Sequence, residues 1–124
     1  MIQNSKHMIA FTGAGVSTSA GIPDYRSTEE TILKTGPGQW EAKGAKGQTL
    51  EQFTNKPSKY TRVETVKAVP TFSHMALSQL MKQDYLKYVI SQNVDGLHRK
   101  SWIPAEKISE LHGNTFLEIC TKCG

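Results

Sequence analysis

The apolar positions of the chain fall into short runs divided by glycine, proline and polar turns, and the spacing within each run assigns its element. Lys6-His7-Met8-Ile9-Ala10-Phe11 reads as a short buried strand, Thr12-Gly13-Ala14-Gly15 as the turn that ends it, and the small residues Val16 to Ala20 as the start of a helix. Residues 21–69 carry Gly21, Pro23, Gly36, Pro37, Gly38, Gly44, Gly47 and Pro57 with little periodicity. They read as a long irregular excursion holding at most short helices around Leu50 to Phe53, and excursions of this length are usually functional. Pro70-Thr71 then opens a helix whose apolar positions Phe72, Ala76, Leu77, Leu80 and Met81 share one face, ending near Gln83. Tyr85 to Ser91 is a second buried strand, Val94 to Lys100 a short helix, Lys107 to Leu111 a third strand, and Thr115 to Ile119 an extended lead into Cys120. Strands alternating with helices predict an α/β fold built on a parallel sheet.

Composition narrows the class. The chain has 124 residues, 37% of them apolar and 21% charged, as in an ordinary globular domain or a piece of one. Its net charge of +4 is spread among fifteen Lys and Arg that never run more than two together, so a nucleic-acid groove is not indicated. Lys43, Lys46, Lys56, Lys59, Arg62 and Lys67 lie among Glu41, Glu51 and Glu64 without the interleaved aromatics of a base-stacking platform, Phe53 and Tyr60 being too few for one, which describes a solvated surface. No apolar run approaches the roughly 20 residues that a membrane-crossing helix needs, and the first residues lack the apolar core of a secretion signal. A soluble, intracellular protein is the expectation. The only two cysteines, Cys120 and Cys123, stand three apart, which suits a metal or redox pair better than a disulfide framework.

Five clusters carry candidate chemistry. Gly13-Ala14-Gly15 follows a strand, where small residues let a pyrophosphate approach backbone amides. The dinucleotide fingerprint is incomplete, however, with Thr18 at its third glycine and Leu33 where a ribose-binding acid would stand, which disfavours a nicotinamide oxidoreductase. Asp24-Tyr25-Arg26 places an acid, a ring and a phosphate-competent guanidinium in sequence, or else merely a capped turn with a local ion pair. Gln92, Asn93 and Asp95 follow the second strand, at the carboxyl edge where α/β sheets hold their ligands; a helix cap would explain one of the three but not all. His112 precedes Gly113 on a turn after the third strand, and imidazoles titrate near neutral pH, which suits general-base work. His7, His74 and His98 read as packing residues. Finally, Cys120 and Cys123 make half of a tetrahedral zinc site or a redox pair.

In this order, GAGVSTSAGIPDYR (13–26), SQNVDGLHRKS (91–101), ELHGN (110–114) and CTKC (120–123) resemble the sirtuin family across nearly the whole chain. Tyr25, TFSHMAL (71–77) and ELHGNTFLE (110–118) resemble its class IV branch. The resemblance implies an incomplete Rossmann-like parallel sheet over residues 1–119, with a cofactor loop at about 21–69, and the first half of an inserted zinc-ribbon module at 120–124. It implies an NAD-dependent protein-lysine deacylase that yields nicotinamide, O-acyl-ADP-ribose and free lysine, with ADP-ribosyl transfer as a side activity. The expected partner is an acyl-lysine protein, histones being candidates, and the expected location is the nucleus.

Residue by residue, the resemblance makes Gly13, Ala14, Gly15 and Thr18 line the phosphates and ribose, Asp24, Tyr25 and Arg26 form the cofactor loop with Trp40 behind it, and Gln92, Asn93 and Asp95 line the ribose and nicotinamide pocket. His112 is the expected general base, and Cys120 and Cys123 are the first two zinc ligands. Two departures stand out. Ser27 to Thr35 intervene between Arg26 and the Gly36-Pro37-Gly38-Gln39-Trp40 stretch, so Trp40 reaches the cofactor if those nine residues are a loop insertion. Ser101-Trp102 replaces the family's Ser-Gly, so that turn is built without glycine. With one cysteine pair and three strands, these 124 residues read as a fragment, marginally stable and catalytically silent alone, for which the competing reading is a non-catalytic ADP-ribose or protein-binding module.

Overall fold

A computed structural model describes residues 4–28, 30–38, 40 and 63–123. Two compact units emerge, one formed by Met1–Gly13 with Phe72–Gly124 and the other by Ala14–Thr71.

The first unit is a three-stranded sheet ordered β1-β2-β3, with β1 at Met8–Thr12, β2 at Leu86–Ser91 and β3 at Ile108–Glu110. Both pairings are parallel, as the alternation of strands and helices requires. The ladder ends level: Thr12 pairs with Ser91, and Ser91 with Glu110. All three chains therefore leave the sheet at one carboxyl edge. The register slips between Met8 and Ile9, leaving Lys87 as the extra residue on β2. That slip lets Leu86 and Val89, an odd number of positions apart, enter one core cluster with Ile103 and Ile108.

Helix α1, Phe72–Lys82, packs Leu77, Leu80 and Met81 against this cluster, joined by Met8 and Ala10 from β1. Two sequence expectations change here. Phe72, assigned to the buried face, is 90% exposed, while His74 is fully buried, so the inward stripe starts at position 74. His7 precedes β1 and is exposed instead of packed in the strand. The other expected elements are present but shorter, and the second helix, α2, covers only Leu97–Lys100. Residues 115–119 form no strand and are exposed.

Both helices of this unit end in the same hydrogen-bond pattern, and neither has glycine at the left-handed position. After α1, Tyr85 N–H donates to Leu80 C=O (3.0 Å) and Asp84 N–H to Met81 C=O (3.0 Å), with Asp84 at φ 64°. After α2, Ile103 N–H donates to His98 C=O (3.2 Å) and Trp102 N–H to Arg99 C=O (3.0 Å), with Trp102 at φ 71°. The Ser101-Trp102 turn is thus made by forcing a tryptophan into the conformation glycine takes without strain. Trp102 is 84% exposed, so its ring contributes little packing in return. We expect Trp102→Gly to stabilise the chain by about 1 kcal/mol, read as a rise in the urea midpoint. An unchanged or lower midpoint would mean that the ring makes a contribution its exposure conceals.

In the second unit the expected helix start is two 3-10 turns, Ala14–Val16 and Thr18–Ala20. Small hydroxyl residues compete for backbone partners, as when Thr18 Oγ1 donates to Gly15 C=O (3.1 Å), and Gly21 turns left-handed at φ 84°. An α-helix does not form there. The short helices expected around Leu50 to Phe53 lie outside the described residues.

Candidate functional site

The carboxyl edge of the first unit collects the polar residues singled out above. Just past β1 and β2, Gln92 N–H donates to Thr12 C=O (3.0 Å), extending the ladder by one bond beyond the last strand residue. Asn93 turns its amide back across the edge: Nδ2 donates to Gly13 C=O (3.1 Å), while its own N–H donates to Ser91 Oγ (3.1 Å). A Cβ on Gly13 would stand 4.0 Å from Gln92 Oε1, so the exposed Gln92 side chain runs alongside that glycine. Asp95 is buried, and its Oδ1 accepts Leu97 N–H (2.9 Å) at the start of α2. The N-cap of α2 is Gly96, left-handed at φ 67° and without a side-chain cap bond, so Asp95 closes the turn that leads into the helix. Asn93 holds the β1 turn, a task that a capping account does not cover.

His112 stands on the turn after β3. Leu111 N–H donates to Ser91 C=O (2.9 Å), and Gly113 N–H to Glu110 C=O (3.0 Å), with Gly113 at φ 78°. A side chain at 113 would strain this turn, which leaves the imidazole of His112 exposed beside the sheet edge.

Beneath the edge lies a cluster that sequence reading recognised only as packing. Thr12 Oγ1 and His98 Nε2 are 2.8 Å apart, and the rings of His98 and His74 stand 4.7 Å apart at 59°. Both histidines are buried. Burial holds His98 down to about 4, reinforced by His74 and opposed by the Asp95 carboxylate. Burial likewise lowers His74, again opposed by Asp95. The two imidazoles are neutral at physiological pH, forming a polar but uncharged layer under Asp95. His98 lies in the SQNVDGLHRKS stretch and His74 in TFSHMAL, but their contact arises only in the fold.

The second unit contains the Asp24-Tyr25-Arg26 stretch. The Asp24 carboxylate accepts Ser27 N–H (3.1 Å) and Ser27 Oγ–H (2.6 Å), so it does shape a capped turn. Tyr25 and Arg26 remain exposed. Gly38 N–H donates to Ser27 C=O (2.8 Å) and Trp40 N–H to Tyr25 C=O (2.9 Å), closing the base of the intervening loop. The approach is so close that a Cβ at Gly38 would fall 2.5 Å from the Tyr25 carbonyl carbon and 2.6 Å from Arg26 N. The two ends of the stretch between Arg26 and Gly38 thus meet at one base, and the Trp40 and Tyr25 ring centroids stand 5.9 Å apart. Ala14, Gly15 and Thr18 belong to the 3-10 turns of this same unit.

Cys120 and Cys123 are both exposed and free. The Cys120 thiol is shifted down by the Lys122 amide, then by the Cys123 thiol and amide, donors that favour a thiolate. Two thiols do not complete a four-ligand zinc site, and among the described residues no group of three or more His, Cys, Asp or Glu side chains could hold a metal. No described helix is long and apolar enough to cross a membrane.

Comparison with known proteins gives one consistent answer. The model of the Sir2 family matches residues 13–124. The NAD-dependent protein deacetylase SRT1 of Arabidopsis thaliana is 46% identical over 124 residues, all of this chain but 23% of that protein. A solved complex of Sir2 with p53 peptide and NAD+ has a TM-score of 0.64 at 26% identity, covering 98% of this chain and 47% of its own. A Sir2 variant with deacetylated p53 peptide and 3'-O-acetyl-ADP-ribose reaches 0.69 at 26% identity, with 98% and 48% covered. The chain thus spans about a quarter of that curated relative and about half of the solved Sir2 chains.

Proposed function

The chain belongs to the Sir2 family, and from that premise we propose that the polypeptide carrying it is an NAD-dependent protein-lysine deacylase. The observation that carries this reading is the level end of the sheet. Because Thr12, Ser91 and Glu110 share one ladder row, Gly13, Gln92-Asn93 and the His112 turn all emerge at the same carboxyl edge. That edge is where open α/β sheets bind their ligands. Its side-chain amides, carboxylate and imidazole suit a ligand of ribose hydroxyls and a carboxamide.

In this reading NAD supplies an electrophilic ribose carbon that accepts the acyl oxygen as nicotinamide departs. The chain's own residues bind and move protons. Gln92, Asn93 and Asp95 hold the ribose and nicotinamide, Asn93 being pre-oriented by its bond to Gly13 C=O (3.1 Å). His112 takes the proton of a ribose hydroxyl, and its exposure leaves room for that hydroxyl to approach. Gly13, Ala14, Gly15 and Thr18 serve the phosphates and ribose, Arg26 offers a bidentate anion partner, and Tyr25 with Trp40 offers ring faces. Cys120 and Cys123 would supply two of the four ligands that a structural zinc site needs. Acyl-lysine proteins, histones among them, are the proposed substrates, with the nucleus as the site of action.

The test is nicotinamide release by a polypeptide that contains this chain at the length of its relatives. The proposal expects release from NAD to depend on an acetyl-lysine peptide and to stop with the unacetylated peptide. Saturable NAD binding without peptide-dependent release would instead identify an ADP-ribose-binding module.

A further inference from the structure

We propose that Glu110, clamped between Arg99 and Asn114, is the positioning residue for His112; this rests on the reading of His112 as general base. The His112 ring is exposed, and no side chain among the described residues hydrogen-bonds to it. Its orientation must come from the turn that carries it. That turn is fastened at both ends through a single carboxylate.

Glu110 is the last residue of β3, two positions before His112, and its side chain is only 7% exposed. A carboxylate at that depth is costly unless both oxygens are satisfied, and here each has a different partner. Oε2 accepts Arg99 Nε–H (2.8 Å) from α2, and Oε1 accepts Asn114 Nδ2–H (2.7 Å), two positions beyond His112. Asn114 in turn accepts Phe116 N–H at Oδ1 (2.9 Å), and Thr115 N–H donates to Val94 C=O (3.0 Å). The entry side is fixed by the Leu111 N–H bond to Ser91 C=O (2.9 Å), and the Gly113 N–H bond to Glu110 C=O (3.0 Å) spans His112 itself. Glu110 thus joins the strand end, α2 and the exit of the turn. With both oxygens taken by Arg99 and Asn114, its carboxylate acts by fixing where His112 stands.

Misplacing a catalytic group by a fraction of a turn costs rate at the chemical step, up to roughly a hundredfold for about 1 Å. Glu110→Gln keeps the shape but leaves one acceptor oxygen where two are used, so either Arg99 Nε–H or Asn114 Nδ2–H is left facing an NH2 donor. Asn114→Ala leaves the Arg99–Glu110 pair intact and frees only the exit of the turn, so it reports even if Glu110→Gln folds poorly. Both variants, with His112→Ala beside them, are to be assayed for kcat and KM in the full-length polypeptide. We expect kcat to fall tenfold to a hundredfold in each positioning variant, on the order set by such displacements, with KM for NAD and peptide within about twofold. If folded Glu110→Gln and Asn114→Ala turn over at the parent rate while His112→Ala is silent, the positioning inference falls and the base assignment stands. Should His112→Ala itself retain the parent kcat, the base assignment falls, and this inference with it. A rise in KM with kcat unchanged would also overturn it, since it would place the clamp in ground-state binding.

Discussion

Replacing His112 with alanine in the full-length polypeptide should lower acetyl-lysine-dependent nicotinamide turnover to product by about 10²- to 10⁴-fold, the range a positioned general base contributes. Stability should barely move. The side chain is exposed, its ring holds no partner among the described residues, and the turn is carried by Leu111, Gly113 and Glu110. Substitutions at such surface positions usually stay within roughly 0.5 kcal/mol. The pairing of a large kinetic loss with an unaltered melting temperature separates a chemical role from a structural one. A folded His112→Ala variant working at the parent rate would remove histidine from the mechanism.

Acidification should destabilise the first unit well before its carboxylates become protonated. His98 titrates at about 4 in the folded chain because burial, then the neighbouring His74, disfavours its cation, whereas an unfolded histidine takes up a proton near 6.5. Between those values the unfolded chain holds the proton and the folded chain does not. Stability therefore falls as pH decreases through that window and is fully present above it. At about 1.4 kcal/mol per unit, His98 alone removes about 2 kcal/mol between pH 6.5 and 5 and about 3 by pH 4. His74, lowered by the same burial, adds in the same direction. Urea unfolding at steps from pH 7 to 5 measures this without much interference from Asp and Glu, whose ordinary values lie lower. A midpoint constant over that range would show that the imidazoles are hydrated or charged in the folded state.

How far this could be read from the sequence depends on where the determining contact lies. The second strand was expected at Tyr85 to Ser91 and spans Leu86–Ser91, because an apolar run bounded by Asp84 and Gln92 carries its own limits. The first was expected at Lys6 to Phe11 and spans Met8–Thr12. Its polar last residue, Thr12, joins the ladder because its hydroxyl meets His98, a partner 86 positions away. On α1, Phe72 was expected on the buried face but is exposed, whereas His74, read as a packing residue, is buried with its ring tilted against that of His98. No local pattern announces a buried pair of imidazoles.

The site follows the same division. Gly13, Gln92, Asn93 and His112 were legible because each lies at a strand end beside a turn residue, and parallel strands bring such ends to one edge. Asp95 was legible as polar, but that it closes the turn before α2, whose N-cap is Gly96, follows only from its bond to Leu97 N–H. Arg99, Glu110 and Asn114 lie within the SQNVDGLHRKS and ELHGN stretches, but neither stretch says that their side chains meet. Their meeting follows from the placement of α2 beside the end of β3. Trp40 was legible only conditionally. The bonds from Gly38 to Ser27 and from Trp40 to Tyr25 bring the ends of the intervening stretch together and set Trp40 beside Tyr25.

The most direct measurement is the fate of the acetyl group when the full-length polypeptide acts on NAD and an acetyl-lysine peptide, followed by mass spectrometry. The account predicts that acetyl leaves the lysine only when NAD is consumed, and appears on ADP-ribose in equal amount to the nicotinamide released. Free acetate formed without NAD consumption, or NAD cleaved with the peptide still acetylated, would contradict it.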